Sequence, residues 1–259
     1  MATTTLPTPV AGIAPLTTEE HAAFTRDGFL LKRALLDAPD VRRIAEEIDA
    51  LHERMADHAP EGVQVSWEKA VAGRPKRIRQ LMHSERVSPG LDAFVRSGAV
   101  LDIVAALIGP EIALFHSKLL MKAAHDGTVT PWHQDYSYWK RGANRPLQLN
   151  AMLALDAATR ENGCIQFVPG SHAQGLLTHE RRQEAFGLFL PGYFNPRPDA
   201  VAVEMAPGDC VFFGPLVIHG SDANRSGRDR RANTVAYTVT GDDPAQCREV
   251  LRGRERNLD

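Results

Sequence analysis

The sequence predicts a mainly β protein, a sandwich or barrel buttressed by N-terminal helices, and three observations carry that expectation. From Ile112 onward the chain is a series of short apolar runs punctuated by Gly, Pro, Asp and Asn. They are Leu114 to Leu120, Leu147 to Leu155, Ile165 to Val168, Val201 to Met205, Val211 to Ile218 and Thr234 to Val239. Many short strands at such intervals suit packed or closed antiparallel sheets rather than alternating βα units. The first third shows helical punctuation instead. No composition break or repeat separates the two textures, so one domain is expected over residues 17–259, behind a disordered leader at 1–16.

The N-terminal elements follow from local chemistry. Thr17-Thr18-Glu19-Glu20 has the capping-box spacing, which predicts a short helix through Phe24, ended by Gly28. Phe29-Leu30-Leu31 reads as a brief strand. Asp37 caps a second helix, with Pro39 in its first turn and Asp40 near its positive end. Val41, Ile44, Ile48, Leu51 and Met55 recur every three or four residues, an apolar stripe that packs on a sheet. Residues 56–85 read as polar and irregular. Val100 to Ile108 is a third helix closed by Gly109-Pro110.

Composition excludes several classes. With 259 residues, 43% hydrophobic and 24% charged, the chain can bury an ordinary globular core. A net charge of −2 points to neither nucleic acid nor an anionic membrane surface. No run approaches the roughly 18–20 apolar residues of a membrane span. Cys164, Cys210 and Cys247 form neither a disulfide framework nor a zinc-ligand spacing, which favours a cytoplasmic, reducing setting.

The chemistry-bearing residues are His133 and Asp135, with His219 84 positions after the Asp and Arg230 a further 11. Thr128 to Tyr136 is β-branched and aromatic and contains Pro131, so it reads as a strand, and residues i and i+2 of a strand share a face. One imidazole and one carboxylate then project side by side for a distant His to join. Two His and one carboxylate with the other positions open suit Fe(II) that must bind a co-substrate and O₂ together. His219 closes the run Phe212 to Ile218, and alone would read as a satisfied core or edge histidine. His21, His52, His58 and His83 read as surface residues, and His172 as part of a structural Pro-Gly-Ser-His turn.

Several motifs occur in order: Trp132-His133-Gln134-Asp135-Tyr136, Glu161-Asn162-Gly163-Cys164, Val168-Pro169-Gly170-Ser171-His172, Pro207-Gly208-Asp209, and His219-Gly220-Ser221 with Asn224 and Ser226. Together they resemble the phytanoyl-CoA dioxygenase family over residues 17 to 240. The resemblance implies a double-stranded β-helix (jelly roll, cupin-like), an Fe(II)- and 2-oxoglutarate-dependent oxygenase, and His133, Asp135 and His219 as iron ligands. It also implies that the keto acid and O₂ are converted to succinate and CO₂ while a C–H bond is oxidised. Related halogenases carry Gly or Ala where this chain has Asp135, so hydroxylation or another oxygenase outcome is implied instead.

The far carboxylate of 2-oxoglutarate needs a cation, and a guanidinium can grip it with two parallel hydrogen bonds. Alternation along the strand leaves Arg230 and Arg231 both open, and the family's offset of eleven residues selects Arg230. Ser221 is either a hydroxyl partner of the same carboxylate or a turn former. Lys122 is either a co-substrate residue, as in some relatives, or an exposed strand end. Asn150 and Met152 share one strand face and are candidates to line the keto-acid pocket.

Substrate choice is expected on loops at the barrel mouth: Gly62 to Gln80, Tyr136 to Arg145 and Gly175 to Ala200. The last carries Phe186, Phe189, Tyr193 and Phe194, an aromatic lid or ordinary loop packing. Trp67 and Trp139 are candidate apolar walls. Arg74, Lys76, Arg77 and Arg79 form either an anion site or a solvated face. The substrate is expected to be a small organic molecule, first a natural-product intermediate, then an amino-acid-like or acyl (CoA-ester) compound. A cupin-like zinc hydrolase and a silent binding protein are the readings from other classes.

Overall fold

The computed structural model describes residues 16–55, 61–68, 77–125, 127–139, 148–181, 187–192, 197–240 and 249–252. Thr17 caps the first helix, α1 (Thr18–Asp27): its hydroxyl accepts from Glu20 N, while the Glu20 carboxylate accepts from Thr17 N. Gly28, at φ +85°, ends it in the left-handed conformation that glycine adopts without strain. Strand β1 (Phe29–Lys32) follows, then α2 (Ala38–Met55), where Asp37 Oδ1 accepts from Asp40 N at 2.9 Å. Strands β2 (Val65–Trp67) and β3 (Ile78–Met82) precede the short α3 (Pro89–Val95) and α4 (Gly98–Ile108).

The remaining chain is β4 (Ile112–Lys122), β5 (Thr130–His133), a single turn α5 (Tyr136–Trp139), β6 (Gln148–Ala154), β7 (Ile165–Phe167), β8 (Val201–Ala202), β9 (Cys210–Phe213), β10 (His219–Ser221), β11 (Arg230–Val239) and β12 (Glu249–Arg252). One sheet runs β1-β9-β6-β11-β4-β3-β2, with β12 on the edge of β4. The second runs β5-β10-β7-β8. All pairings are antiparallel, and the two sheets make the expected jelly roll.

Alternation divides the large sheet's two faces. Leu149, Ala151 and Leu153 of β6 and Val235 and Tyr237 of β11 face the helices, where they meet Ile44, Ile48, Leu51, Met55 and Phe94. Met152, Ala154 and Ala232 face the small sheet and pack near Ile165, Phe167 and Phe213. The predicted stripe of α2 is therefore core, as its period implied.

Some expectations are corrected. Residues 56–85 are not wholly irregular, because β2 and β3 extend the large sheet beyond β4. A bulge between Ser66 and Trp67 interrupts the two-residue period that would have announced them. Helix α3, capped by Ser88 with Pro89 in its first turn, is too short to show a stripe. Of the run Val211 to Ile218 only the first three residues are strand, in β9, since Gly214-Pro215 breaks it and carries the chain across to β10, which begins at His219 in the other sheet. Val201 to Met205 shrinks to two strand residues. Leu16, inside the expected leader, is half-buried against the core, and residues 1–15 lie outside the described residues. No helix among the described residues is long and apolar enough to cross a membrane.

Ile48 is fully buried at the centre of the helix–sheet layer. Ile48→Ala is expected to lower unfolding free energy by about 2–5 kcal/mol, read by denaturant titration. A loss under about 1 kcal/mol would contradict the packing.

Candidate active site

Strand β5 ends at His133, and Asp135 lies just beyond it, at the head of α5, rather than within a longer strand. Turn bonds from Ser137 N to Gln134 O and from Tyr138 N to Asp135 O take over from the ladder. Gln134 makes this possible. Its Nε2 donates to the Gly175 and Leu216 carbonyls at 2.8 and 2.7 Å, and its Oε1 accepts from Leu177 N at 2.8 Å. With the middle residue clamped on one side, its neighbours project to the other.

His219 opens β10 directly opposite His133. His133 Nε2 lies 3.6 Å from Asp135 Oδ1, and His219 Nε2 lies 3.8 Å from Asp135 Oδ2. One ligand atom from each of the three residues falls within 4.8 Å of the others. Each imidazole donates from Nδ1 to the carbonyl two residues earlier, His133 to Pro131 at 2.8 Å and His219 to Val217 at 3.0 Å. That fixes both rings and leaves Nε2 as the inward lone pair.

Electrostatics holds the same protonation states. Burial foremost, then His133, pushes the His219 pKa down to about 3, so the ring is neutral at physiological pH. For Asp135, burial acts to raise the pKa, but Lys118 and the two imidazoles outweigh it and hold the carboxyl well below its usual range. Asn150 Nδ2 donates to Asp135 Oδ2 at 2.8 Å. Asn150 is thus placed beneath the carboxylate, fully buried, and not along the pocket wall as expected.

The triad opens into a cavity of about 980 Å³, within the range of small-molecule sites. Arg230 lines it with 5% of its surface exposed, opposite Lys122 across β11 and β4. Its Nη2 donates to Gly163 O at 3.1 Å, and its Nε has no hydrogen-bond partner. Burial pushes its pKa down to about 10. Arg231 points the other way, bonded to Asp156 and Asp49, so that of the two arginines Arg230 is the one that lines the cavity. Lys122 is buried, not an exposed strand end. Its Nζ donates to Thr128 O at 2.5 Å, and burial, then Arg230 and Arg79, hold its pKa well below normal. Ser221 and Met152 also line the cavity.

The mouth is only partly as expected. Trp139 forms a wall, whereas Trp67 packs against the main core. Phe189 is buried in an isolated bridge with Glu180, and Phe186, Tyr193 and Phe194 lie outside the described residues. Arg79 bonds Thr128 and faces Glu68 at the cavity edge; Arg77 pairs with Asp229 at 3.1 Å; Arg74 and Lys76 lie outside the described residues. His21 is exposed, His52 and His83 are half-buried, and His58 is outside the described residues. His172 bonds Thr25 O at 3.1 Å in its structural turn.

Sequence reasoning did not single out Glu68, Lys118, Tyr138 or Thr234 as cavity residues, although it offered Arg79 as a candidate anion residue and placed Gly62 to Gln80 and Tyr136 to Arg145 at the mouth. Alternation gave a signal for two of them, since Lys118 shares a face with Lys122 and Thr234 with Arg230. Glu68 and Arg79 come from the segment read as irregular.

A jelly roll carrying two imidazoles and one ionised carboxylate over a deep cavity has the form of a non-haem metal oxygenase. Residues 24–232 match the family model described as phytanoyl-CoA dioxygenase (PhyH). A probable phytanoyl-CoA dioxygenase of Caenorhabditis elegans is 30% identical over 240 residues, 86% of this chain and 75% of that protein. An L-proline trans-4-hydroxylase of Streptomyces griseoviridis is 28% identical, over 90% of each chain. The crystal structure of EctD from S. alaskensis with 2-oxoglutarate and 5-hydroxyectoine superposes with a TM-score of 0.71 at 21% identity, covering 92% of this chain and 81% of that one. The chain belongs to the phytanoyl-CoA dioxygenase family, and its class is Fe(II)/2-oxoglutarate-dependent dioxygenase.

The depressed His219 pKa has a consequence for the metal-free protein. Unfolded, this residue takes up a proton near pH 6.5; folded, near 3. Stability therefore rises with pH across that window and is lost as pH falls, by up to about 1.4 kcal/mol per pH unit. Thermal melts of wild type and His219→Gln check this, and the variant is expected to show the shallower slope.

Proposed function

We propose that His133, Asp135 and His219 hold Fe(II), and that Arg230 receives the far carboxylate of 2-oxoglutarate, with Lys122, Ser221 and Met152 around it. The donor set fits the ion: two neutral nitrogens and one carboxylate leave a net single positive charge and open positions for co-substrate and O₂. The observation that carries the co-substrate assignment is Arg230, a buried guanidinium whose Nε is unpartnered and which faces the triad's own cavity. When bound, the iron and keto acid supply the oxidation, with 2-oxoglutarate and O₂ giving succinate and CO₂.

The protein's part is geometric. Pro131 and Val217 carbonyls orient the two imidazoles, Asn150 orients Asp135, and the cavity keeps bulk water from the reacting C–H bond. The reaction is oxidation, first hydroxylation, of a small organic molecule. Support comes from the cavity's size and from the relative named as a proline hydroxylase. A natural-product intermediate is the first candidate substrate, and an amino-acid-like or acyl compound the second. Residues 17–259 act as one catalytic unit, in a reducing cytoplasm that suits the free, buried Cys164 and Cys210.

Anaerobic addition of Fe(II) and 2-oxoglutarate is expected to produce the visible charge-transfer band of the keto-acid chelate, and Asp135→Ala to abolish it. Arg230→Gln should keep the band but raise the 2-oxoglutarate needed for half-saturation roughly tenfold to a hundredfold. Succinate formed under air excludes a zinc hydrolase and a silent binding protein. Turnover that persists after complete removal of Fe(II) would overturn the assignment.

A further inference from the structure

The strand β4 presents His116, Lys118, Leu120 and Lys122 to the cavity, alternate residues on one face. Lys122 lies at the Arg230 end. Lys118 stands four residues away, about 13 Å along the strand, so the two ammonium groups mark different ends of the cavity. The Lys118 side chain is half-buried and makes no hydrogen bond or ion pair with any described residue; its charge acts on the Asp135 carboxylate only from beyond ion-pair distance. Across the ladder its partner is Thr234, whose side chain lies about 5 Å away on the same face. Thr234 is 1% exposed, lines the same cavity, and its Oγ1 has no hydrogen-bond partner.

A buried hydroxyl without a partner costs roughly 1–3 kcal/mol, and a lysine drawn off from water costs more unless an anion arrives. The acidic lining residues do not supply one. Glu68 is held by Thr128 and Arg79, and Asp135 belongs to the triad. Arg181, exposed on the cavity wall, adds a further positive charge toward the mouth.

We propose that Lys118 and Thr234 form an anion subsite for the primary substrate, and that this substrate is a small organic acid bearing a carboxylate or phosphonate. Lys118 Nζ and Thr234 Oγ1 donate to its oxyanion, at the end of the cavity away from Arg230, and so set which C–H bond lies over the triad. The inference rests on the metal and co-substrate assignment above and deepens it by naming the substrate's charge.

The test uses the full chain loaded anaerobically with Fe(II) and 2-oxoglutarate. Benzoate, hexanoate and phenylphosphonate are added beside benzamide, hexanamide and diethyl phenylphosphonate, and the shift of the chelate band is read. The acids are expected to shift the band and the neutral partners to leave it unchanged. Comparing the two acid types separates carboxylate from phosphonate. Lys118→Gln is expected to raise the acids' half-effect concentration roughly tenfold or more, with Lys118→Arg restoring most of it. Thr234→Val provides a second variant that retains the β-branched shape.

Neutral compounds acting as well as the acids, no acid acting at all, or acids acting equally on Lys118→Gln would each overturn the subsite. A raised 2-oxoglutarate requirement in Lys118→Gln without any acid present would assign the lysine to the co-substrate instead and overturn it too. Absence of the chelate band from wild type would be a failure of the underlying metal assignment, and is thus distinguishable.

Discussion

The placement of His219 opposite His133, in the short ladder between β10 and β5, is the constraint on which the rest of the site depends. A strand's side chains alternate, so a slip of one residue would turn one imidazole away from the other. Three- and four-residue strands specify register weakly by themselves, and this ladder is pinned from outside. Ser171 Oγ accepts from Ile218 N at 2.8 Å, Val168 N donates to Ile218 O at 2.9 Å, and Gln134 is bound on three sides. These bonds hold the residues just before His219 and just after His133. The three candidate metal donors are therefore fixed by groups outside the triad itself.

The second constraint is electrostatic. Arg230 and Arg231 are adjacent, yet one lies bare in a cavity while the other is surrounded by Asp156 and Asp49. Arg231's partners raise its pKa; burial lowers that of Arg230. A paired guanidinium has its charge offset already and has little to gain from an incoming anion. An unpaired one, already stripped of water, gains nearly the whole interaction. The same reasoning separates the held carboxylate of Glu68 from the unpartnered ammonium of Lys118.

Much of this was legible in the sequence. The capping box at Thr17, the stripe on α2 and the strand runs after Ile112 are statements about local geometry, and each maps onto an element. The triad was legible because family motifs surround it, although the reason given for Asp135 was incomplete. Its approach to His133 depends on a turn and on Gln134, not on one continuous strand. The two strands near Trp67 and Ile78, at one end of the large sheet, were illegible because a bulge in β2 and its polar residues erase the period. Asn150's contact with Asp135 joins β6 to the turn beyond β5, between residues fifteen apart, and no local pattern encodes it.

Parity along β4, β6 and β11 divides this molecule more sharply than chain position does. Leu119, Leu149, Leu153, Val235 and Tyr237 face α2, α3 and α4, so the helices hold the large sheet from behind. Arg231 reinforces that layer through the Ala45 carbonyl and Asp49 of α2. The opposite face of the same strands carries Lys118, Lys122, Arg230 and Thr234 into the cavity. Groups on packed strands hold position better than groups on loops. On the proposed assignments, the cavity floor would combine co-substrate capture and substrate charge reading in one rigid surface. Segments at the mouth, such as the one Tyr138 joins to Leu188, remain able to vary in shape without disturbing the chemistry beneath.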